Sequence, residues 1–266
     1  MEFPTDKKTI VATSIYGVIS FIMIVRFLGS GMGVALPLIG IAFAMLPVPV
    51  FLYLVLRRDA EPEPWSLMLP SFIWGATVAI ALALIFNNVA IAVTPFTEDQ
   101  VTVFAAPFVE EFLKALPLCA LVLFFRKNVN SVRDAIVYAS LVGLGFAMTE
   151  NVIYYMGAFA EGGMKLIMQT FVGRGLASFN AHAAFTSITG VGLYLAISDK
   201  VKSKALVVVA GFVMAVAFHM AWNASALFGG QWFFMMWFVV YIPALLFIIY
   251  YRGDKKALEE VAKPAD

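Results

Sequence analysis

The chain has 266 residues, of which 62% are hydrophobic, 15% aromatic and only 13% charged, with a net charge of +1. This composition excludes an ordinary soluble domain and indicates a protein that crosses a membrane several times. The near-neutral charge, with basic residues dispersed along the chain, also argues against a nucleic-acid partner.

Eight apolar runs are long enough to cross a bilayer, which takes about 20 residues of helix. We therefore predict an all-α fold, a polytopic membrane helix bundle of about eight transmembrane helices. Residues 1–252 are expected to form a single transmembrane domain, and residues 253–266 a charged cytoplasmic tail. The predicted spans cover residues 9–28, 33–56, 66–94, 101–125, 134–159, 166–198, 205–227 and 232–251.

The lysines and arginines predict the orientation of these spans, because short cytoplasmic loops collect cations. With a cytoplasmic N-terminus, only Arg26 and Lys165 fall on the outer side, and Lys114 and Arg174 lie within the membrane. We therefore expect both termini in the cytoplasm. The cations on that side are Lys7, Lys8, Arg57, Arg58, Arg126, Lys127, Arg133, Lys200, Lys202, Lys204, Arg252, Lys255, Lys256 and Lys263.

Ionisable side chains also occur inside the predicted spans, where one charge costs roughly 2.5 kcal/mol or more. Counting about 1.5 Å of rise per residue along helices of alternating direction places all of them in the outer half of the bilayer. A shared depth across four helices favours one site over separate structural roles. These residues are Glu110, Glu111, Lys114, Glu150, Arg174, His182 and His219.

The predicted fourth span contains two adjacent glutamates, Glu110 and Glu111, followed four and three residues later by Lys114. Residues at these spacings share a helix face, so one ammonium can reach either carboxylate. A purely structural ion pair with Lys114 needs only one of the two carboxylates. The second carboxylate is then available for general acid or base catalysis.

Glu150 and Asn151 follow Gly143 and Gly145 in the predicted fifth span. We expect the two glycines to serve packing, because small residues let membrane helices approach closely. Glu150 alone is also compatible with a protonated side chain hydrogen-bonded to a neighbouring helix. The depth that it shares with polar residues on three other helices favours a functional role.

The chain has two histidines, His182 in the sixth predicted span and His219 in the seventh. His219 and Asn223 are four residues apart on one helix face and could together donate to a developing oxyanion. Arg174 lies near the face of His182 and could pair with a glutamate. The structural alternatives are a core histidine bonded to a carbonyl and an arginine that snorkels to the interface.

Five segments of the chain, named at the end of this paragraph, resemble the PrsW family of intramembrane proteases and follow one another in the order found in that family. They are similar also to the larger group of CAAX-type prenyl endopeptidases and bacteriocin-immunity membrane proteins, which have paired glutamates and a final His-x-x-x-Asn. Where prenyl endopeptidases have a histidine after the phenylalanine, this chain has Glu150. The segments are Arg-Arg-Asp-Ala-Glu-Pro-Glu-Pro-Trp at 57–65, Glu-Glu-Phe-Leu-Lys at 110–114, Phe-Ala-Met-Thr-Glu-Asn at 146–151, Arg174 with His182, and His-Met-Ala-Trp-Asn at 219–223.

This resemblance implies an intramembrane endopeptidase that hydrolyses a peptide bond of a membrane-anchored, single-span protein near the outer membrane face. The family is associated with the first cut of a membrane-anchored anti-sigma factor. The resemblance also implies a multi-pass integral protein of a prokaryotic plasma membrane, whose partners are lipid and a membrane-protein substrate rather than nucleic acid.

The residue inventory fits two hydrolytic mechanisms. In a metal-free glutamic mechanism, a glutamate activates water, His182 assists proton transfer, and His219 with Asn223 stabilises the oxyanion. In a Zn²⁺ mechanism, His182, His219 and Glu111 hold the ion while another glutamate serves as base. The predicted catalytic residues are Glu110, Glu111, Glu150, His182, His219 and Asn223, supported by Lys114, Arg174 and Asn151.

Two other functional classes also place polar residues inside a membrane. A proton-coupled transporter or channel uses Glu, His and Arg as a proton relay. A relay needs a path across the bilayer, however, and this polar set occupies only its outer half. A non-catalytic membrane scaffold would tolerate Glu150→Gln and His219→Ala with little loss.

Overall fold

The computed structural model describes residues 35–57, 63–198 and 201–251. Helices dominate all three ranges and none of them contains a strand, which confirms the prediction of an all-α fold. The first predicted span, 9–28, and the predicted tail, 253–266, lie outside the described residues.

The described α-helices follow one another through short turns, and π-helical turns interrupt or extend several of them. The α-helices longer than one turn are α1 (Ala35–Met45), α2 (Val48–Leu56), α3 (Trp65–Trp74), α4 (Ile80–Val93), α5 (Ala106–Phe124), α6 (Val132–Thr170), α7 (Ala181–Ile197), α8 (Lys204–Phe228), α9 (Gly230–Met236) and α10 (Ile242–Tyr250). A single α-helical turn, Glu98–Gln100, follows α4. The π-helical turns are Gly75–Ala79, Val101–Ala105, Phe171–Ala177 and Trp237–Tyr241.

Within the described ranges, five helical stretches are long and apolar enough to cross a membrane. α5 is a further helix of 19 residues, whose apolar sequence also carries Glu110, Glu111 and Lys114. The five stretches are Leu36–Leu56, Trp65–Val93, Val132–Ile197, Lys204–Phe228 and Gly230–Tyr250.

The stretch Val132–Ile197 has 66 residues, about three times the length that one crossing needs. Its backbone leaves helical geometry at Gly162 and Gly163, where Gly163 has a φ of +62°. Glycine adopts this left-handed conformation without the strain that a side chain adds. The glycine pair therefore divides the stretch between the predicted fifth and sixth spans.

A second interruption falls inside the predicted sixth span, 166–198. The π-helical turn Phe171–Ala177 ends there, and α7 begins at Ala181. Ser178 has non-helical backbone angles, and its hydroxyl donates to the carbonyl of Gly173 at 2.9 Å. The span is therefore two segments rather than one helix, and the second of them begins directly before His182.

Helices α6 and α7 form the centre of the bundle. In the most apolar 18-residue window of their stretch 78% of the residues are buried, against at most 33% in each of the other four stretches. Because α6 carries Glu150 and α7 carries His182, these polar side chains lie among protein rather than lipid. Such an interior position is the usual one for intramembrane polar groups.

Close helix packing around α6 depends on two glycines, as predicted. A Cβ added to Gly143 would lie 2.6 Å from the Cα of Ala183 in α7. A Cβ added to Gly145 would lie 2.1 Å from the carbonyl oxygen of Phe72 in α3. Both distances are far below van der Waals contact, so α6 touches α3 and α7 backbone to backbone at these residues.

Gly145→Ala is expected to destabilise the fold by at least about 1–3 kcal/mol, the usual cost of overpacking, because backbone rather than a flexible side chain opposes the new methyl group. The matched control is Gly157→Ala in the same helix, where an added Cβ has no neighbour within 4 Å. Thermal unfolding in detergent should show a lower midpoint for Gly145→Ala only. Equal midpoints for both variants would contradict the close approach.

Helix ends that are predicted to be cytoplasmic contact one another at one end of the bundle. Arg126, directly after α5, donates to the carbonyl of Ile197 at the end of α7. Arg133, at the start of α6, donates to the carbonyl of Ile248 in α10. These contacts place the end of α5 beside the end of α7, and the start of α6 beside the end of α10.

Candidate active site

The polar residues that the sequence analysis singled out within the spans form one buried cluster. Four helical segments supply them, and their side chains contact one another directly across those segments. α5 supplies Glu110, Glu111 and Lys114; α6 supplies Glu150 and Asn151; the segment up to and including α7 supplies Arg174 and His182; α8 supplies His219.

Lys114 lies at the centre of the cluster and has no exposed surface. Its Nζ is 3.4 Å from Glu110 Oε2, 3.0 Å from Glu111 Oε1 and 2.8 Å from His182 Nδ1. The ammonium also lies 3.9 Å from the ring centroid of Phe146, a cation–π distance. Because an ammonium only donates hydrogen bonds, His182 Nδ1 acts as the acceptor here.

Glu111 orients the second histidine. Its Oε1 lies 3.0 Å from His219 Nδ1, and its Oε2 accepts a hydrogen bond of 3.0 Å from the hydroxyl of Thr186. Glu111 is fully buried, and both of its oxygens are occupied. A carboxylate on Nδ1 sets the tautomer of an imidazole, so His219 Nε2 is left to face Glu110 Oε2 at 3.8 Å.

Glu150 connects His182 with Arg174. Its Oε2 lies 2.9 Å from His182 Nε2 and also accepts from the Arg174 guanidinium. Arg174 in turn donates to Asn151 Oδ1 at 2.9 Å, and its guanidinium carbon lies 3.6 Å from the ring centroid of Tyr154. Three neighbours therefore hold the guanidinium in place, and the guanidinium holds Glu150.

A cavity of about 350 Å³ opens against this cluster. Glu110, Glu150 and His182 lie in its wall, whereas Glu111 and Lys114 lie behind that wall. The Glu150 side chain keeps 16% of its surface exposed, against 0% for Glu111. Glu150 can thus meet a reactant in the cavity, and Glu111 can act only through the groups that it touches.

Asn223 also lines the cavity, but no described hydrogen bond joins it to His219. Its amide nitrogen donates to the carbonyl oxygen of Thr102, 2.9 Å away, in the π-helical turn that precedes α5. The sequence analysis paired Asn223 with His219 as oxyanion donors. In this structure Asn223 instead joins α8 to the start of the α5 segment at the edge of the cavity.

Glu110, His182 and His219 have the donor chemistry of a catalytic zinc site. One ligand atom from each lies within 4.8 Å of the other two, wider than the roughly 3.4 Å edges of a tetrahedral site with 2.1 Å bonds. Two imidazoles and one carboxylate are a known catalytic ligand set, and a carboxylate behind a ligating histidine is a usual companion. The residues therefore fit the metal once they contract around the ion and one nitrogen of His182 exchanges its present partner, Lys114 or Glu150, for the metal.

The sequence analysis chose Glu111 rather than Glu110 as the carboxylate ligand. In the structure, the carboxylate whose oxygen lies near nitrogens of both His182 and His219 belongs to Glu110. The physical reason is the occupancy of Glu111, whose two oxygens contact Lys114, His219 and Thr186. Glu111 is placed to support a ligand, and Glu110 is placed to be one.

The charges of the cluster leave room for a cation. With all groups in their usual charge states, three carboxylates (Glu110, Glu111, Glu150) face two cations (Lys114, Arg174), so three negative charges minus two positive charges leave one negative charge in excess. An unbalanced charge in a buried site is costly. A bound proton would neutralise this excess, and so would a divalent metal ion that carries one hydroxide.

Two contributors to the cluster were missed by sequence reasoning. Thr186, which bonds Glu111, lies four residues after His182, and Tyr154, which stacks on Arg174, lies four residues after Glu150. Each therefore shares a helix face with a predicted site residue. That spacing is the signal that identifies them, although threonine and tyrosine are too common in membrane helices to stand out alone.

Comparisons with known proteins place the chain in a family. Residues 63–250 match the family described as "PrsW family intramembrane metalloprotease". The chain is 30% identical over 141 residues to a protein named Protease PrsW from Geobacillus kaustophilus (strain HTA426), covering 52% of this chain and 57% of that protein. It is 32% identical over 111 residues to the Protease PrsW of Oceanobacillus iheyensis, covering 41% of this chain and 50% of the relative.

A third relative, the Protease PrsW of Clostridioides difficile (strain 630), is 27% identical over 152 residues, or 55% of this chain and 61% of the relative. The chain thus spans about half to three fifths of the length of the curated relatives that it matches. No solved structure matches it.

The family match covers all of the cluster residues and confirms the predicted resemblance. With its apolar helices, the chain is a multi-pass integral membrane protein. It belongs to the PrsW family of intramembrane metalloproteases.

Proposed function

We propose that the chain is an intramembrane endopeptidase that hydrolyses a peptide bond of a single-span, membrane-anchored protein near the outer membrane face. The observation that carries this proposal is the group Glu110, His182 and His219 beside a cavity of about 350 Å³ within the helix bundle. The three relatives named Protease PrsW support the same class of reaction. A membrane-anchored, anti-sigma-factor-like protein is the proposed substrate class.

In the favoured version, Glu110, His182 and His219 hold a zinc ion. Zinc bound there would supply Lewis-acid chemistry, lowering the pKa of a coordinated water and polarising the scissile carbonyl. Glu111 keeps His219 in the tautomer whose Nε2 faces Glu110. The family description as metalloproteases supports this version over a metal-free one.

Glu150 is the proposed general base, because it is the carboxylate that lines the cavity and is not needed as a ligand. Its carboxylate takes a proton from the attacking water while the water oxygen bonds to the scissile carbonyl carbon. When the C–N bond breaks, the same carboxyl group returns the proton to the leaving amine. Arg174 holds Glu150 in position through both steps.

The two hydrogen-bonded contacts of His182 favour a second candidate, a metal-free glutamic mechanism. Lys114 Nζ lies 2.8 Å from His182 Nδ1, and Glu150 lies 2.9 Å from Nε2, so both nitrogens of His182 already have partners. In this mechanism Glu150 activates water, His182 relays the proton, and the oxyanion is stabilised by the second amide N–H of Asn223 and by His219 once its Nε2 is also protonated. Lys114 takes the place of the metal as the buried cation.

Chelation separates the two versions. Purified protein in lipid vesicles is incubated with a panel of single-span reporters, with and without a zinc chelator, and cleavage products are identified by mass spectrometry. The favoured version predicts cleavage near the outer face that the chelator abolishes and added zinc restores. Cleavage that persists in fully metal-depleted protein would instead establish the glutamic mechanism.

We also propose eight spans in one domain over residues 1–252, with both termini and the tail 253–266 in the cytoplasm of a prokaryotic cell. The contacts of Arg126 and Arg133 with distant helix ends support the grouping of these ends on one side, and the lysines and arginines on that side favour the cytoplasm. The cluster then opens toward the outer half of the plasma membrane. Lipid and the membrane-protein substrate are the proposed partners, and nucleic acid is not one.

A further inference from the structure

Asn87, in α4, lines the cavity on a helix that contributes none of the cluster residues. Its side-chain carbonyl oxygen is buried and has no hydrogen-bond partner among the residues that the structure describes. A buried acceptor without a donor is costly, and most such groups in folded proteins are paired. An unpaired amide in the wall of a cavity therefore points to a donor that arrives with a ligand.

Several other polar side chains in this wall are already engaged with the protein itself. Glu150 bonds Arg174 and His182, and Asn151 also bonds Arg174. Ser178 donates to a backbone carbonyl in its own segment, and Asn223 donates to the carbonyl of Thr102. Asn87 is thus the cavity-lining amide whose carbonyl oxygen is both buried and unpaired among the described residues.

The chemistry of an intramembrane substrate supplies the missing donor. A peptide bond within an α-helix is enclosed by its own hydrogen bonds, so the substrate must be extended around the bond that is cut. Extended backbone inside a membrane exposes N–H groups that have no water to bind, and each one needs an acceptor from the protein. A carboxamide oxygen can accept such a hydrogen bond without adding charge.

We infer that Asn87 is a substrate-positioning residue, whose side-chain carbonyl accepts a hydrogen bond from a main-chain N–H of the extended substrate beside the scissile bond. This inference rests on the proposed function. Asn87 does not touch the reacting atoms; it holds the substrate strand against the cavity wall. The contact belongs to substrate binding, so its loss raises KM more than it lowers kcat.

The test compares Asn87→Leu with the matched control Asn88→Leu. Asn88 is the next residue, is exposed, and donates to the carbonyl of Leu84 in its own helix at 2.7 Å. For Asn87→Leu we expect KM for a cleaved reporter to rise about tenfold, roughly the loss of one hydrogen bond, with kcat within twofold. The thermal midpoint should stay level or rise, because the unpaired buried oxygen is removed. Asn88→Leu should leave KM unchanged.

A substrate modification tests the hydrogen bond itself. Synthetic reporters carry an ester in place of one amide at successive positions around the scissile bond, which removes one N–H at a time. One ester should raise KM for the wild type and for Asn88→Leu but have no further effect in Asn87→Leu. Equal ester effects in all three proteins, or an unchanged KM in Asn87→Leu, would overturn this inference while the proposed function stands. Absence of any wild-type cleavage would overturn both.

Discussion

Glu150→Gln should reduce turnover by roughly 10²–10⁴-fold, the usual contribution of a general base, while the protein remains folded. Glutamine has the size of glutamate and can still accept a hydrogen bond from Arg174, but it cannot take up the proton of the attacking water. The Glu150 carboxylate is the one with cavity exposure, 16% of its side chain, that the proposed zinc ligand set leaves free. The loss should therefore appear in kcat, with KM nearly unchanged.

The matched control for this variant is Glu161→Gln. Glu161 is exposed and lies 11 residues further along the same stretch of helix, away from the cavity wall. Steady-state cleavage of a reporter in lipid vesicles measures both variants, and thermal unfolding in detergent checks their folding. Turnover by Glu150→Gln above a tenth of the wild-type value would rule out Glu150 as the base. A large loss in Glu161→Gln would show that the assay responds to charge alone.

His219→Ala should abolish zinc binding as well as cleavage. The chain contains only two histidines, so a two-histidine ligand set has no substitute for His219. Its Nδ1 is held by Glu111 and its ring stacks on Phe185 with centroids 5.4 Å apart, which leaves Nε2 for a ligand. Removal of the imidazole leaves Glu110 and His182 as two ligands that cannot complete a catalytic zinc site.

Glu111→Gln provides a graded comparison, because Glu111 acts on His219 rather than on the ion. Loss of such a supporting carboxylate usually weakens metal affinity by about 10–100-fold. Competition with a chelating dye measures the zinc affinity of each protein, independently of catalysis. Equal zinc affinity in the wild type and His219→Ala would contradict the proposed ligand set. A zinc affinity lower in Glu111→Gln than in His219→Ala would indicate that Glu111 is the ligand and His219 the supporting residue.

Some features of this site could be predicted from helix spacing alone. Glu110, Glu111 and Lys114 lie within one turn of one helix, and the structure joins them as the spacing of three and four residues indicates. Depth along the predicted spans also grouped residues from distant parts of the chain. Both inferences rest on the fixed geometry of the helix, which sequence expresses directly.

Other features depend on how helices are rotated against one another, which spacing does not determine. Adjacent residues on a helix point about 100° apart, so sequence could not decide whether Glu110 or Glu111 faces Nε2 of His219. The stretch 166–198 is long enough to include a turn, but the position of its break at residues 178–180 was not predicted, because no proline marks it. Asn223 shares a helix face with His219, as its spacing indicates, but its amide donates to the backbone carbonyl of Thr102.

The measurement that tests the central claim most directly is cleavage of a single-span reporter by purified protein in lipid vesicles. The wild type is compared with Glu110→Gln, Glu150→Gln and His219→Ala, and Gly157→Ala serves as a folded control from a position without close neighbours. We predict that the wild type and Gly157→Ala cut the reporter near its outer membrane face, and that the three cluster variants do not. Wild-type cleavage that survives in all three cluster variants would contradict the account.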